Sequence, residues 1–237
     1  VDEYIDYVNS IDQYIYAVAQ VDTLPGEFGK PKSPEDYKNS ADRSWENFLY
    51  MYPKMKSPEK LVPVFHFGEH FESTLGRTLD KVGLSPANDT GQNTKDIYLK
   101  ECYDFIAKSS NPQVKTHLFG MTSLQSLAKF PCYSADSVSH RLRAAYVKVL
   151  TLKWGTISLT DKTRSNKAKS NMSFLQLCDE NTYRELEEIC ERYHLTVQQL
   201  KEDNAARVAF DIMQIQEGLK GEYKYKPENL RRSKKLF

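Results

Sequence analysis

The sequence is poor in features that would settle its class at a glance. It has only four cysteines in 237 residues, Cys102, Cys132, Cys178 and Cys190. They are far apart and form no C-x-x-C pair, which argues against a zinc cage or a dithiol redox motif and reads as four reduced thiols of an intracellular, cytoplasmic protein. Charge of one sign is also missing. The 33 basic and 32 acidic residues leave a formal net charge of +1, so any polyanion would have to be met by a local basic patch. No apolar run approaches the roughly 20 residues of a membrane-spanning helix, and no secretory signal is visible. No internal repeat at a fixed period stands out. The chain also begins without Met, on the helical spacing of Val1, Tyr4, Ile5, Val8 and Ile11, and so reads as a piece entered partway.

What remains is an ordinary globular composition, 40% hydrophobic and 12% aromatic, in a chain long enough for one large domain or two small ones. Along residues 14–147 the pattern alternates between strand and helix. Strand-like runs fall at 14–22, 61–68, 81–89, 114–123 and 133–137. The first helix opens on Ser33-Pro34-Glu35-Asp36, a cap with Pro in the first turn, and runs to about Met55. Further helices are expected over 70–80, 94–107 and 124–130, and in the segment carrying Arg141 and Arg143. Five strand-then-helix units predict an α/β fold with a parallel sheet. Beyond Val147 the rhythm changes to a hairpin over 149–162 turning near Trp154-Gly155, a basic loop over 163–171, helices over 181–195 and 196–220, and a basic tail. The expected division is 1–162 and 163–237.

Polar residues gather where the strands end: Asp22, His66 with Glu69, Ser85 to Asp89, Thr122 with Ser123, and Asp136. In a (β/α) barrel that edge carries the chemistry, although loops are polar in any fold. Read alone, Asp136 fits the N-cap of the helix that follows it, Asp22 a turn former before Pro25-Gly26, and Glu69 the start of a helix. His66 fits a histidine bonded to a neighbour as well as it fits a ligand contact, and His117 a satisfied core histidine.

The series "QVDTLPGEFG", "VPVFHFGEHF", "VGLSPAND", "THLFGMTSLQSLAKFP" and "YSADSVSHRLRAAY" resembles the tRNA-guanine transglycosylase superfamily, and within it the phage-type DNA-guanine transglycosylases. The resemblance covers residues 1–162 and is most specific in "HLFGMTS" followed by "SADS", and in "VFHFGE". It implies a TIM (β/α)8 barrel whose first three strands are missing from this sequence, to be supplied by a longer chain or a partner, unless the domain is degenerate. A base-reading aspartate that family members carry on an earlier strand is missing with them. The activity implied is a pentosyltransferase one, replacing guanine in DNA with a 7-deazaguanine, with the base as co-substrate and no metal or other cofactor. The Cys/His zinc site of the tRNA-acting branch has no counterpart in the spacing, which favours the phage-type branch and host cytoplasm. A tRNA-directed relative, and a non-catalytic barrel that binds nucleic acid or completes a partner's enzyme, are the alternatives.

Position by position, the resemblance makes Asp136 the nucleophile. Asp22 becomes the acid that reads the purine edge, and His66 and Gly68 the polar residue and glycine beside the base. Gly83 and Leu84 become a backbone contact, and Phe119 with Gly120 a wall of the base pocket. Base exchange at a sugar carbon with retained configuration needs a carboxylate that attacks and is then displaced. Ser134 and Ser137 are placed in sequence to hydrogen-bond its charge. Asp22, His66 and Glu69 are all candidates to assist the departing guanine. Arg141, Arg143, Lys162, Arg164, Lys167 and Lys169 are candidates for a basic rim on the phosphates, or for a solvated surface.

Overall fold

The computed structural model describes residues 1–27, 30–69, 79–86, 90–160 and 173–222. These fall into two compact units, the first ending at Asp136 and the second spanning Ser137–Lys224.

The first unit is an α/β structure with a parallel sheet. Its strands are β1 (Val18–Ala19), β2 (Leu61–Val62), β3 (Val64–His66), β4 (Lys81–Ser85), β5 (Lys115–Leu118) and β6 (Ser134–Ala135). β1 pairs with β2, and β3, β4, β5 and β6 pair in that order, all in parallel. β2 and β3 are the single run expected over 61–68, interrupted at Pro63. Proline has no N–H to give to a ladder, yet its carbonyl still accepts the Gly83 N–H at 2.8 Å, so the chain stays in the sheet. Among the described residues the sheet does not close on itself.

Helices cover one sheet face. α1 (Asp2–Ser10) and α2 (Pro34–Met51) bury Ile5, Val8, Phe48 and Met51 together with Met55 and Leu61. α2 starts where the sequence predicts. Ser33 Oγ accepts the Asp36 N–H, the Asp36 carboxylate accepts the Ser33 N–H, and Pro34 occupies the first turn. α3 (Gln92–Lys108) presents Tyr98 and Tyr103 to the sheet. The Tyr98 hydroxyl donates to the Phe65 carbonyl at 2.7 Å, and Tyr103 bonds Thr116 Oγ1 at 3.0 Å. α4 (Leu124–Lys129) is capped by Ser123, whose Oγ accepts the Ser126 N–H. Ser123, one of the polar residues expected at a strand end, therefore serves as a helix cap.

Several elements are shorter than the sequence patterns suggest. The run 14–22 yields only two strand residues, preceded by a 3₁₀ turn over Asp12–Tyr14, because β2, the one ladder partner of β1 among the described residues, is itself only two residues long. The helix expected over 70–80 lies outside the described residues apart from its last two positions, as do the loop 163–171 and the tail from 223.

The second unit contains α5 (Ser139–Ala145) and the antiparallel hairpin β7 (Lys148–Thr151) and β8 (Gly155–Ser158), with α6 (Phe174–Leu177), α7 (Glu180–Glu191), α8 (Val197–Glu202) and α9 (Asn204–Glu222). The hairpin expected to belong with the first 162 residues instead packs Val149, Ile157 and Leu159 against Leu186, Cys190, Leu200 and Phe210 of the helices. The unit boundary accordingly lies at 136/137. The single helix expected over 196–220 is broken at Asp203, which has extended backbone, and whose carboxylate accepts the Ala205 N–H at 2.8 Å and so starts α9.

Candidate active site

Parallel register and the period of two in a strand decide which side chains can meet. Gly83 of β4 stands beside His117 of β5, and His117 beside Ser134 of β6. The ladder continues past the last strand residues, with the Phe119 N–H donating to the Leu84 carbonyl at 3.0 Å and the Asp136 N–H to the Leu118 carbonyl at 3.2 Å. Phe119 and Asp136 therefore lie one step beyond His117 and Ser134, on the same face. That face is opposite the one on which Phe65, Leu84, Thr116 and Leu118 are buried.

Asp136 directly follows the last parallel strand, with its side chain 60% exposed. Its Oδ1 accepts the Gly120 N–H at 3.0 Å and lies 3.5 Å from His117 Nε2. Among the described residues Oδ2 has no hydrogen-bond partner. Gly120 can turn its N–H toward the carboxylate because it adopts φ +69°, a conformation that a residue with a Cβ rarely enters. Asp136 does not cap the following helix. The residue before α5 is Val138, and no side chain caps that end.

The serines on either side of Asp136 do not hold its charge. Ser134 Oγ is 2.8 Å from His117 Nδ1, and Ser137 Oγ accepts the Ser139 N–H. A side chain two residues back on a strand stands about 7 Å away along the chain, so Ser134 reaches the neighbouring strand's histidine rather than Asp136. Burial pushes His117 below its ordinary value of 6.5, an effect that the charge and hydrogen bond of Asp136 only partly oppose. The imidazole is thus neutral at pH 7.

Phe119 packs its ring edge-on to His117, with centroids 4.4 Å apart. It fits because position 83 is glycine. A Cβ there would stand 2.4 Å from Phe119 Cε2 and 3.3 Å from Val64 Cγ2. The Gly83 N–H and the Leu84 carbonyl are both engaged in the sheet, to Pro63 and Phe119, and the Leu84 side chain is fully buried. These two residues are strand interior, so the backbone groups expected to meet a base are already paired, and Gly83 contributes by making room for a neighbour. A cavity of about 200 Å³ lies along the same face. It touches His117, Phe119 and Ser134 but none of Asp136, Asp22 or His66, and Tyr16, Tyr133, Lys81 and Lys115 line it toward the start of the strands.

A second polar cluster forms where β1 and β3 end. His66 Nε2 is 3.0 Å from Asp22 Oδ2, and Gln20 Nε2 donates to Asp22 Oδ1 at 3.3 Å. Glu69 Oε2 accepts the His66 backbone N–H at 3.0 Å and stands 3.7 Å from Nδ1, too far for a hydrogen bond and close enough for attraction. The His66 side chain is only 16% exposed. Burial alone would depress it, but the hydrogen bond to Asp22 and the negative charges of Asp22 and Glu69 outweigh that and lift it to about 9. The cluster therefore holds an imidazolium between two acids. His66 is bonded to its neighbour Asp22. Gly68 sits in the turn after β3, against the Tyr37 side chain. No hydrogen bond or ion pair between described residues joins this cluster to Asp136.

Arg141 and Arg143 belong to the second unit. Arg141 is exposed. Arg143 Nε donates to Asp211 at 2.6 Å, and Asp211 is fully buried and also accepts the Leu150 N–H. Its guanidinium is thus committed to the core of its own unit, which removes it from the expected basic rim. Lys162, Arg164, Lys167 and Lys169 lie outside the described residues. Among the described residues no group of three His, Cys, Asp or Glu side chains is arranged to hold a metal ion, and no helix is long and apolar enough to cross a membrane.

The sequence reading missed His117 as the neighbour of Asp136. The signal was present: "HLF" and "SAD" on adjacent parallel strands align His with Ser and Phe with Asp once the register is known. No protein-family model matches this chain, and no curated protein matches it significantly.

Proposed function

We propose that the chain exchanges guanine in a polynucleotide, DNA by preference, for a 7-deazaguanine, and that its βα units form the C-terminal part of a (β/α)8 barrel. The observation that carries this reading is the state of Asp136: an exposed carboxylate at a parallel strand's C-terminal end, with one oxygen anchored by a backbone N–H and the other without a partner among the described residues. A carboxylate held this way is suited to nucleophilic attack, because the anchored oxygen fixes the plane and the second points where its surroundings leave room.

In this reading Oδ2 bonds to the sugar C1′ as the bond from C1′ to the purine nitrogen breaks, and the electron pair leaves with guanine. The incoming base then attacks C1′, and its bond forms as the ester bond to Asp136 breaks, so that two inversions give retention. Once Oδ2 is esterified, Oδ1 becomes a carbonyl oxygen, and the Gly120 N–H is already in place to hydrogen-bond it. Phe119 provides an aromatic face for a purine. Asp22 supplies acceptors for the guanine amino group and ring N–H, while the His66 imidazolium is the group that would give a proton to the departing base, to be restored by the N–H proton that the incoming base loses as it attacks. A target within a duplex must first leave the stack, at a cost of a few kcal/mol.

The test is exchange of labelled guanine on single-stranded DNA and on tRNA, with the wild type and Asp136→Asn compared at equal thermal stability. The expected result is exchange by the wild type, faster on DNA, and a loss of about 10³-fold or more in the variant. Undiminished exchange by Asp136→Asn would end the proposal.

A further inference from the structure

We propose that His117 is a positioning residue for Asp136. Fixed by Ser134 as the neutral Nε2–H tautomer, it steers the carboxylate so that Oδ2, and not Oδ1, is presented for attack. The inference rests on the nucleophilic role argued above and assigns a partner that the sequence reading had placed in the core.

Three contacts carry it. Ser134 Oγ is 2.8 Å from His117 Nδ1, His117 Nε2 is 3.5 Å from Asp136 Oδ1, and the Gly120 N–H reaches that same Oδ1 at 3.0 Å. If Nδ1 carried the proton, the Nε2 lone pair would face a carboxylate oxygen, which is repulsive. With the proton on Nε2, the serine hydroxyl donates to Nδ1 and the ring N–H points at Oδ1. Two donors then converge on one oxygen and leave the other to react. The 3.5 Å separation is long for a hydrogen bond, and such contacts commonly tighten when the reacting partner arrives.

The surroundings of the ring explain why it stays neutral. Phe119 covers it edge-on, Gly83 flanks it from β4 without a side chain, and among the described residues Asp136 is the one charged group acting on its protonation. Lys81 and Lys115 are the charged groups of β4 and β5 on the same face, one step toward the strand starts, and Tyr16 and Tyr133 complete the titratable groups of the shared cavity. Protonation in acid would convert the contact into an ion pair that stabilises the carboxylate and weakens it as a nucleophile. Activity should therefore fall as pH drops through the His117 transition, below 6.5.

Two measurements on the full chain test this. Nitrogen-15 NMR of the histidine rings is expected to show His117 as the Nε2–H tautomer. Asp136→Asn should move its titration to still lower pH, and Ser134→Ala should erode the tautomer preference. In the pH profile of base exchange, His117→Phe is expected to lower kcat by about tenfold or more with little change in KM. His117→Gln, which keeps an N–H donor, should restore most of the rate and lose the acid limb. A His117 titration indifferent to Asp136→Asn, or a Phe variant with unchanged kcat, would overturn the inference even if the wild type exchanges bases. A wild type that exchanges none would remove the reading it rests on and the catalytic role with it, whereas the NMR result would still decide the geometry.

Discussion

Burial acts on His66 and His117 in the same direction, and the number of acids around each decides the outcome. His66 has Asp22 at 3.0 Å and Glu69 at 3.7 Å and is lifted to about 9. Among the described residues His117 has Asp136 alone, at 3.5 Å, and is depressed. The consequence for stability follows from proton linkage. Because His66 holds its proton more tightly folded than unfolded, its contribution is fully present below about pH 6.5, the value for an unperturbed imidazole. It is lost as pH rises through about 9. A shift of that size corresponds to up to about 3 kcal/mol. Urea unfolding at pH 6, 7.5 and 9 should show the wild type losing stability relative to His66→Gln across that window. Parallel curves for the two proteins would mean that the imidazolium is no more stable folded than unfolded.

At the scale of elements, β4 and β5 are coupled through one missing side chain. Gly83 admits the Phe119 ring, and an added Cβ would meet it at 2.4 Å. Gly83→Ala is expected to cost about 1–3 kcal/mol through overpacking. In the Phe119→Ala background the same change should cost much less, so the double-mutant cycle should be non-additive. Additive costs would show that the ring and the glycine do not share space. This pair also marks how far the sequence was legible. The Ser33 capping box, the five strand positions and α3 follow from local signals: a serine and an aspartate three apart, β-branched runs, and 3.6-residue periodicity. Strand lengths did not follow, because Pro63 and the short β1 ladder depend on which strand lies next to which. Nor could the contact between His117 and Asp136, since register is a property of two strands. Asp22, His66 and Asp136 were legible as strand-end polar residues. That Asp22 and His66 pair with each other, and that Arg143 is spent on Asp211, required the third dimension.

For the molecule as a whole, each unit builds its own core: the first from helices on a parallel sheet, the second from a hairpin under helices and a buried Arg143–Asp211 pair. Asp136 closes the Val1–Asp136 segment of the first unit, and among the described strands β6 pairs with β5 alone. The most direct measurement is covalent trapping. The full chain is incubated with guanine-containing single-stranded DNA, denatured rapidly, digested and examined by mass spectrometry. A nucleotide ester on the peptide carrying Asp136, lost in Asp136→Asn and dispersed by added free guanine, is the expected result. Base exchange without any such ester, or an ester on a different residue, would contradict it.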